Sequence, residues 1–320
     1  MQYRSKGIIL KNFKLNESDR IIKILTEERG LVSAVAKGAR KSTSSLAAKT
    51  QTLNECDFLL AKGKSLDIVS EVSIVQKFTD LNTDLLSMYL AFFCSELTEK
   101  ISLDDSCSVN YFYLLEIYLE FLKKLSRQSS LAEDITENQK LLLTVEFLWC
   151  LICELGYKPD LENCSRTNAR RKPNQIPQYF DLANGSICSK AAFDDYMDSM
   201  NSAEQIIPLS KFNFKLLESL DKSPLSNLNS DFYVADIMNS YSVTQNESQE
   251  LDDLKYRKIL IEDFLLSYLK LSVEEYSNSD YDLSLQNQEL ASTIKLLYKH
   301  LEFQIQEECK SWKALAEIML

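Results

Sequence analysis

Histidine is almost missing from this chain: His300 is the only one in 320 residues. That excludes histidine-rich metal centres and any catalytic apparatus that needs two imidazoles. Long apolar runs are missing too. No window approaches 18 uninterrupted apolar residues, so no helical membrane span is expected, and Gly7-Ile-Ile-Leu10 is too short for the apolar region of a secretory signal. The eight cysteines (56, 94, 107, 150, 153, 164, 188 and 309) are scattered, without the spacing of a disulfide framework. They read as reduced, intracellular thiols, which places the chain in the cytoplasm. Positive charge is in the minority, with 36 Lys+Arg against 47 Asp+Glu and a net charge of −11. An evenly spread acidic charge would argue against nucleic acid, whose binding rests on neutralising phosphates with Lys and Arg.

The charge is not evenly spread. Residues 1–78 carry 14 Lys+Arg and 8 Asp+Glu, net +6, which leaves 22 against 39, net −17, for residues 79–320. Glycine and proline are segregated as well: four of six glycines lie in the first 64 residues, and the first proline is Pro159. The hydrophobic fraction of 45% supports a packed core, and the length suits two or three domains. Two physically different modules therefore join near residue 80. The basic one is a candidate for a nucleic-acid partner.

Residues 1–80 read as consecutive short strands. Tyr3–Leu10 and Asp19–Thr26 place Ile8, Leu10, Ile22 and Ile24 on a buried face. Glu27-Glu28-Arg29-Gly30 has the form of a hairpin turn, Leu31–Lys37 follows as a strand, and Gly38–Thr50 is a small polar loop. Thr52–Ala61 and Ser65–Val75 complete five strands, the pattern of a small closed barrel such as the OB-fold. Cations fall on turns and polar faces: Lys11, Lys14, Arg20, Lys23, Arg29, Lys37, Arg40, Lys41 and Lys49. No acidic residue separates Lys37, Arg40, Lys41 and Lys49 from one another, which favours a phosphate-binding groove over ordinary solvation. The aromatic platforms of single-strand binders are sparse here, with Tyr3, Phe13 and Phe58 as the candidates.

Residues 81–320 change to a helical period. Apolar stripes run through Thr83–Lys100, Asn110–Leu125 and Asn138–Leu155, the last closed by Gly156 and Pro159. Leu251–Leu271 and Gln288–Met319 read as two further long helices, and Phe232–Met238 as a short one within a Ser- and Asn-rich stretch. Residues 158–195, broken by Pro, Asn and Gly, are expected to form a small irregular lobe. The fold class is thus α+β and multidomain, a five-stranded barrel followed by an all-α domain.

Chemistry-bearing motifs are few. Gly38-Ala-Arg-Lys41-Ser42-Thr43 lacks the glycine that must precede the lysine of a phosphate-binding loop. Cys150-Leu-Ile-Cys153 lies inside a helix with apolar spacers, so both thiols read as core. His300 reads as a helix-surface residue. No carboxylate pair stands out, and neither enzyme activity nor a cofactor is expected.

The blocks Gly7-Ile-Ile-Leu10, Asn16-Glu-Ser-Asp-Arg-Ile-Ile22, Leu25-Thr-Glu-Glu-Arg-Gly-Leu31 and Val35-Ala-Lys-Gly-Ala-Arg-Lys41 closely resemble the start of the bacterial RecO family of DNA repair and recombination mediators. The resemblance implies an N-terminal OB-fold and a helical domain, with ATP-independent binding of single- and double-stranded DNA and strand annealing near the nucleoid. It also implies partnership with RecR, recombinase loading, and contact with the C-terminal tail of single-strand DNA-binding protein. Relatives often carry a four-cysteine zinc knob after the segment that reads here Leu155-Gly-Tyr-Lys-Pro-Asp-Leu161. This chain keeps Cys164 and Cys188 but has Thr167 and Ala191 at the other two places, so 158–195 reads as a degenerate knob without metal. The acidic tail needs a local basic pocket, for which Arg170, Arg171, Lys172, Lys255, Arg257 and Lys258 are candidates. Two alternatives compete: a protein-interaction adaptor, and a general OB-fold RNA- or DNA-binding protein without annealing activity.

Overall fold

The computed structural model describes residues 1–79, 81, 84–102, 109–127, 133–172, 174–199, 205–222 and 283–319. The expected helices at Leu251–Leu271 and Phe232–Met238, and with them Lys255, Arg257 and Lys258, lie outside these residues. Two compact units emerge: residues 1–136 with 309–318, and residues 137–308 with 319–320. The barrel expected over 1–80 thus shares its unit with the helices that follow it.

The first unit is built on five strands: β1 (Gln2–Lys14), β2 (Arg20–Thr26), β3 (Gly30–Ala36), β4 (Asn54–Ala61) and β5 (Asp67–Lys77). They close in the order β1-β2-β3-β5-β4, with β1 also paired to β4 and β3 running parallel to β5 through Ala34–Asp67 and Val35–Ile68. This is the OB-type barrel expected from the strand spacing. Period-two alternation explains its interior, because Ile22 and Ile24 on β2 are fully buried while Ile21 and Lys23, which alternate with them, are not. Ile9, Ala34, Phe58, Leu60, Val69 and Val72 fill the rest. Gly7 is required where β1 crosses β2, since a Cβ there would stand 2.5 Å from Ile24 Cγ2 and 3.0 Å from the Leu25 carbonyl. A single turn of helix, α1 (Leu46–Lys49), interrupts the 38–50 segment.

Helices α2 (Leu85–Ile101) and α3 (Val109–Ser126) complete this unit together with the chain's last helix. The stretch expected as one helix over 288–319 is two, α7 (Leu283–Ile305) and α8 (Lys310–Met319). Gln306 takes a left-handed φ of 55°, which ends α7. The new N-terminus of α8 is capped from α2: the Glu96 carboxylate accepts from the N–H groups of Lys310 (3.1 Å) and Ser311 (2.8 Å) and from the Ser311 hydroxyl (2.6 Å). Trp312 then packs beside Phe93, with ring centroids 5.5 Å apart. A cap drawn from a residue more than 200 positions away has no local signature, which is why the break escapes a periodicity argument.

The second unit holds most of α4 (Glu133–Glu154), α5 (Lys190–Ser199), α6 (Lys211–Lys222) and α7. The lobe expected to be irregular is a five-stranded sheet in the order β10-β8-β9-β6-β7, formed by β6 (Asp160–Cys164), β7 (Ala169–Arg170), β8 (Tyr179–Asp181), β9 (Ser186–Cys188) and β10 (Ile206–Pro208). Strands of two to five residues are too short to show an alternating period. His300 is a second correction. It is 1% exposed rather than on a helix surface, with Nδ1 3.1 Å from the Leu182 carbonyl and Nε2 3.0 Å from that of Tyr157. Burial lowers its pKa more strongly than the two carbonyls raise it. Gly185, at φ +59°, leaves room for the ring, since a Cβ there would lie 2.8 Å from His300 Cε1. The imidazole pins α7 to the sheet.

Candidate nucleic-acid interface

The cations of the barrel fall into three groups according to their partners and their place on the barrel. Lys11 and Lys23 face each other across β1 and β2, where two like charges would repel. Glu99 of α2, nearly buried, lies between them, 3.4 Å from the Lys11 ammonium and 2.6 Å from that of Lys23. Lys6 is engaged similarly, 2.5 Å from Glu55 and 2.7 Å from Glu116 of α3, both almost fully buried. Burial raises the Glu55 carboxyl, the Lys6 hydrogen bond opposes that, and the nearby Glu116 adds to the rise. These three lysines hold helices to the barrel and have little charge left for phosphate.

A second group, Lys49 and Arg29, is held by neutral partners that leave its charge in place. The Lys49 ammonium donates to the Val72 carbonyl at 2.9 Å. Arg29 lies 4.2 Å from the Tyr3 ring at the β2–β3 hairpin end. That hairpin is six register rows from the Arg20–Ala36 pair, roughly 20 Å away at the usual strand rise.

The third group gathers at the opposite end of the β1-β2-β3 ladder. Lys14 pairs in register with Arg20, Arg20 with Ala36, and Lys37 comes next along the chain. Two turns are laced together there: the Arg40 N–H donates to the Ser18 carbonyl at 2.9 Å and the Gly38 N–H to Asp19 Oδ1 at 2.8 Å, while Asn16 Oδ1 accepts from the N–H groups of Ser18 and Asp19. The Gly38 N–H holds the Asp19 carboxyl below the usual range, with Asn16 contributing. The Arg40 guanidinium donates to the Asn16 carbonyl, and Arg20 Nη1 reaches the Thr50 carbonyl and hydroxyl, both at 3.2 Å. Lys14, Lys37 and Lys41 are exposed and form no ion pair among the described residues. Phe13 (39% exposed) and Leu15 (45%) flank Lys14, and the Lys11 ammonium sits 5.4 Å from the Phe13 ring. One barrel end thus offers five cations, three of them exposed lysines, and a partly exposed aromatic ring, the chemistry that holds a phosphodiester backbone and an unstacked base.

The cluster at 170–172 is largely paired. Arg170 meets Glu162 at 2.8 Å, both exposed, and Arg171 meets Glu218 at 2.9 Å with its guanidinium 4.9 Å from the Phe214 ring. Lys172 alone is exposed without an ion pair among the described residues. The α4 cysteines are buried, and burial pushes the Cys150 thiol well up and that of Cys153 up to about 12. Glu99, Glu55 and Glu116 are the residues a sequence reading passes over. Their one available signal is a carboxylate set inside an otherwise apolar helix or strand face.

Among the described residues no helix is long and apolar enough to cross a membrane. The family model described as Recombination protein O N terminal matches residues 1–78, and that described as Recombination protein O C terminal matches residues 82–230. The DNA repair protein RecO of Clostridium novyi is 31% identical over 189 residues, 58% of this chain and 68% of that protein. Its namesake in Acetivibrio thermocellus is 28% identical over 226 residues, 70% of this chain and 81% of the relative. For the Trichodesmium erythraeum protein of the same name the figures are 28% over 172 residues, 54% and 59%.

Proposed function

The chain belongs to the RecO family of DNA repair proteins, and on that premise we propose that it serves DNA repair and recombination as a non-enzymatic DNA-binding mediator. It binds single and double strands, anneals complementary strands without ATP, and works with RecR to load recombinase. The observation that carries this reading is the end of the barrel where Lys14, Arg20, Lys37, Arg40 and Lys41 converge beside the exposed Phe13. Cations without base-reading geometry screen the repulsion between two backbones and leave the bases to pair.

The tail of single-strand DNA-binding protein that the family contacts is acidic. The second unit has a groove of about 990 Å³ lined by Leu182, Ile207, Leu296 and Phe303, where Lys299 is paired with Glu302 at 2.5 Å and Lys295 is the cation left to meet such a tail. The deciding assay follows annealing of complementary strands coated with that protein, in the absence of ATP. Annealing well above the spontaneous rate is expected. Binding of RNA alone, with no annealing of DNA, would overturn the proposal in favour of a general OB-fold binder.

A further inference from the structure

Cys164 ends β6 and Cys188 ends β9, and the parallel register sets Cys164 opposite Ile187, so the two cysteines lie on adjacent strands one residue out of step. They share a small core with Ala192, Tyr196 and Ile206. The donor set does not fit zinc. Thr167 and Ala191 stand where two further thiolates would be needed, and among the described residues no three His, Cys, Asp or Glu side chains converge to hold a metal.

What remains at the site is a cradle for a single sulfur. Burial disfavours a Cys164 thiolate, but the Thr167 hydroxyl and the backbone N–H groups of Ser189, Thr167 and Arg166 outweigh it and bring this thiol down to about 7. The Cys188 thiol donates to the Ser189 carbonyl at 3.5 Å and is pushed up to about 12, first by burial and then by the neighbouring Cys164 sulfur. Both cysteines are buried, Cys164 4% exposed, and form part of the wall of a cavity of about 430 Å³ together with Arg170, Arg171, Lys172 and Lys190, so the pair is approached from that cavity. The contrast within the chain is sharp: burial pushes the thiols of Cys56, Cys94, Cys150 and Cys153 up.

We propose that Cys164 and Cys188 are an oxidisable thiol pair, in which Cys164 is the nucleophile for a hydroperoxide and Cys188 resolves it to a disulfide joining β6 to β9. The Cys164 thiolate attacks one peroxide oxygen and the O–O bond breaks. The departing oxygen takes a proton from solvent and leaves as water or an alcohol, and Cys164 becomes a sulfenic acid. Cys188 gives up its proton and attacks that sulfur, the S–O bond breaks, and hydroxide leaves with the proton as water. Two thiols and one hydroperoxide thus yield one disulfide, one water and one water or alcohol, and the sulfur pair loses two electrons. The bond closes the loop that carries Arg170, Arg171 and Lys172, which couples the oxidation state to the shape of a basic surface.

The test uses the full chain treated with hydrogen peroxide at neutral pH, followed by alkylation and peptide mapping. The Cys164 and Cys188 peptides should become linked, and in the reduced protein Cys164 should alkylate roughly tenfold or more faster than the buried α4 thiols, following its thiolate fraction. In Cys188→Ser a dimedone adduct should accumulate on Cys164, and in Cys164→Ser Cys188 should stay reduced. Three results would overturn the proposal: a disulfide elsewhere with this pair intact, a Cys164 alkylation rate no higher than that of Cys150, or one zinc ion per chain in the purified protein. The alkylation comparison needs no variant, so it decides the matter even where a serine substitution fails to fold.

Discussion

Replacing Lys14, Lys37 and Lys41 together by alanine should flatten the salt dependence of DNA binding, whereas replacing Lys11 and Lys23 should leave it nearly unchanged. The difference follows from the ion pairs. Lys11 and Lys23 already share the Glu99 carboxylate, while the other three lysines have no such partner among the described residues. Each phosphate contact contributes about 0.7 (single strand) or about 0.9 (duplex) to the slope of log affinity against log salt, so losing three lowers it by about 2–3. Between about 50 and about 200 mM salt, that change alters the relative affinity of variant and parent by roughly 20- to 40-fold. Fluorescence anisotropy of a labelled oligonucleotide across a salt series reads the slope directly, with thermal melts confirming that both variants fold. The double variant should instead lose stability, because Glu99 is left nearly buried without its cations. If the triple variant keeps the parent's slope while the Lys11/Lys23 variant loses it, the interface lies on the α2 side of the barrel and the reasoning fails.

Glu96→Ala should free α8 from the first unit at a cost of about 2–4 kcal/mol, given three hydrogen bonds to one carboxylate. A red shift of Trp312 fluorescence would report it, and an unchanged spectrum would count against the cap. Burial raises the Glu96 carboxyl, but the Ser311 and Lys310 donors outweigh it and hold it below its ordinary value, so its contribution is present above the unfolded carboxylate range and lost as pH falls through the folded value. Glu55 has the opposite sign. Its raised carboxyl binds a proton more tightly when folded, so stability declines as pH rises from the ordinary carboxylate range towards neutrality, and Glu55→Gln should flatten that decline in urea titrations at several pH values. Lys6→Met should cost about 3–5 kcal/mol, since it strands two buried carboxylates; a loss below about 1 kcal/mol by the same titration would be at odds with the observed triad. Gly185→Ala should destabilise by about 1–3 kcal/mol, through a left-handed backbone and a collision with the His300 ring, as a lowered melting temperature.

Much of the fold is local and therefore legible. The alternation of Ile22 and Ile24 with Ile21 and Lys23 is contained within one strand, as are the apolar stripes of α2 and α3 within each helix. The strands β6 to β9 are not legible in this way, because three of the four have two or three residues and are defined by their partners. The candidate site divides along the same line. Its residue types and net charge are visible in the first 78 positions, but a cation's availability depends on which carboxylate reaches it.

That a basic β-barrel precedes an acidic body with a helical period is written in charge counts and hydrophobic spacing, which need no tertiary knowledge. Which of the nine candidate cations meet a carboxylate depends instead on how the chain folds in space. Glu99 is 76 positions from Lys23 and 88 from Lys11, and Coulomb attraction acts over ångströms in space, not along the chain. The same physics set the fate of His300, exposed by pattern and buried in fact because carbonyls at 157 and 182 converge on its ring.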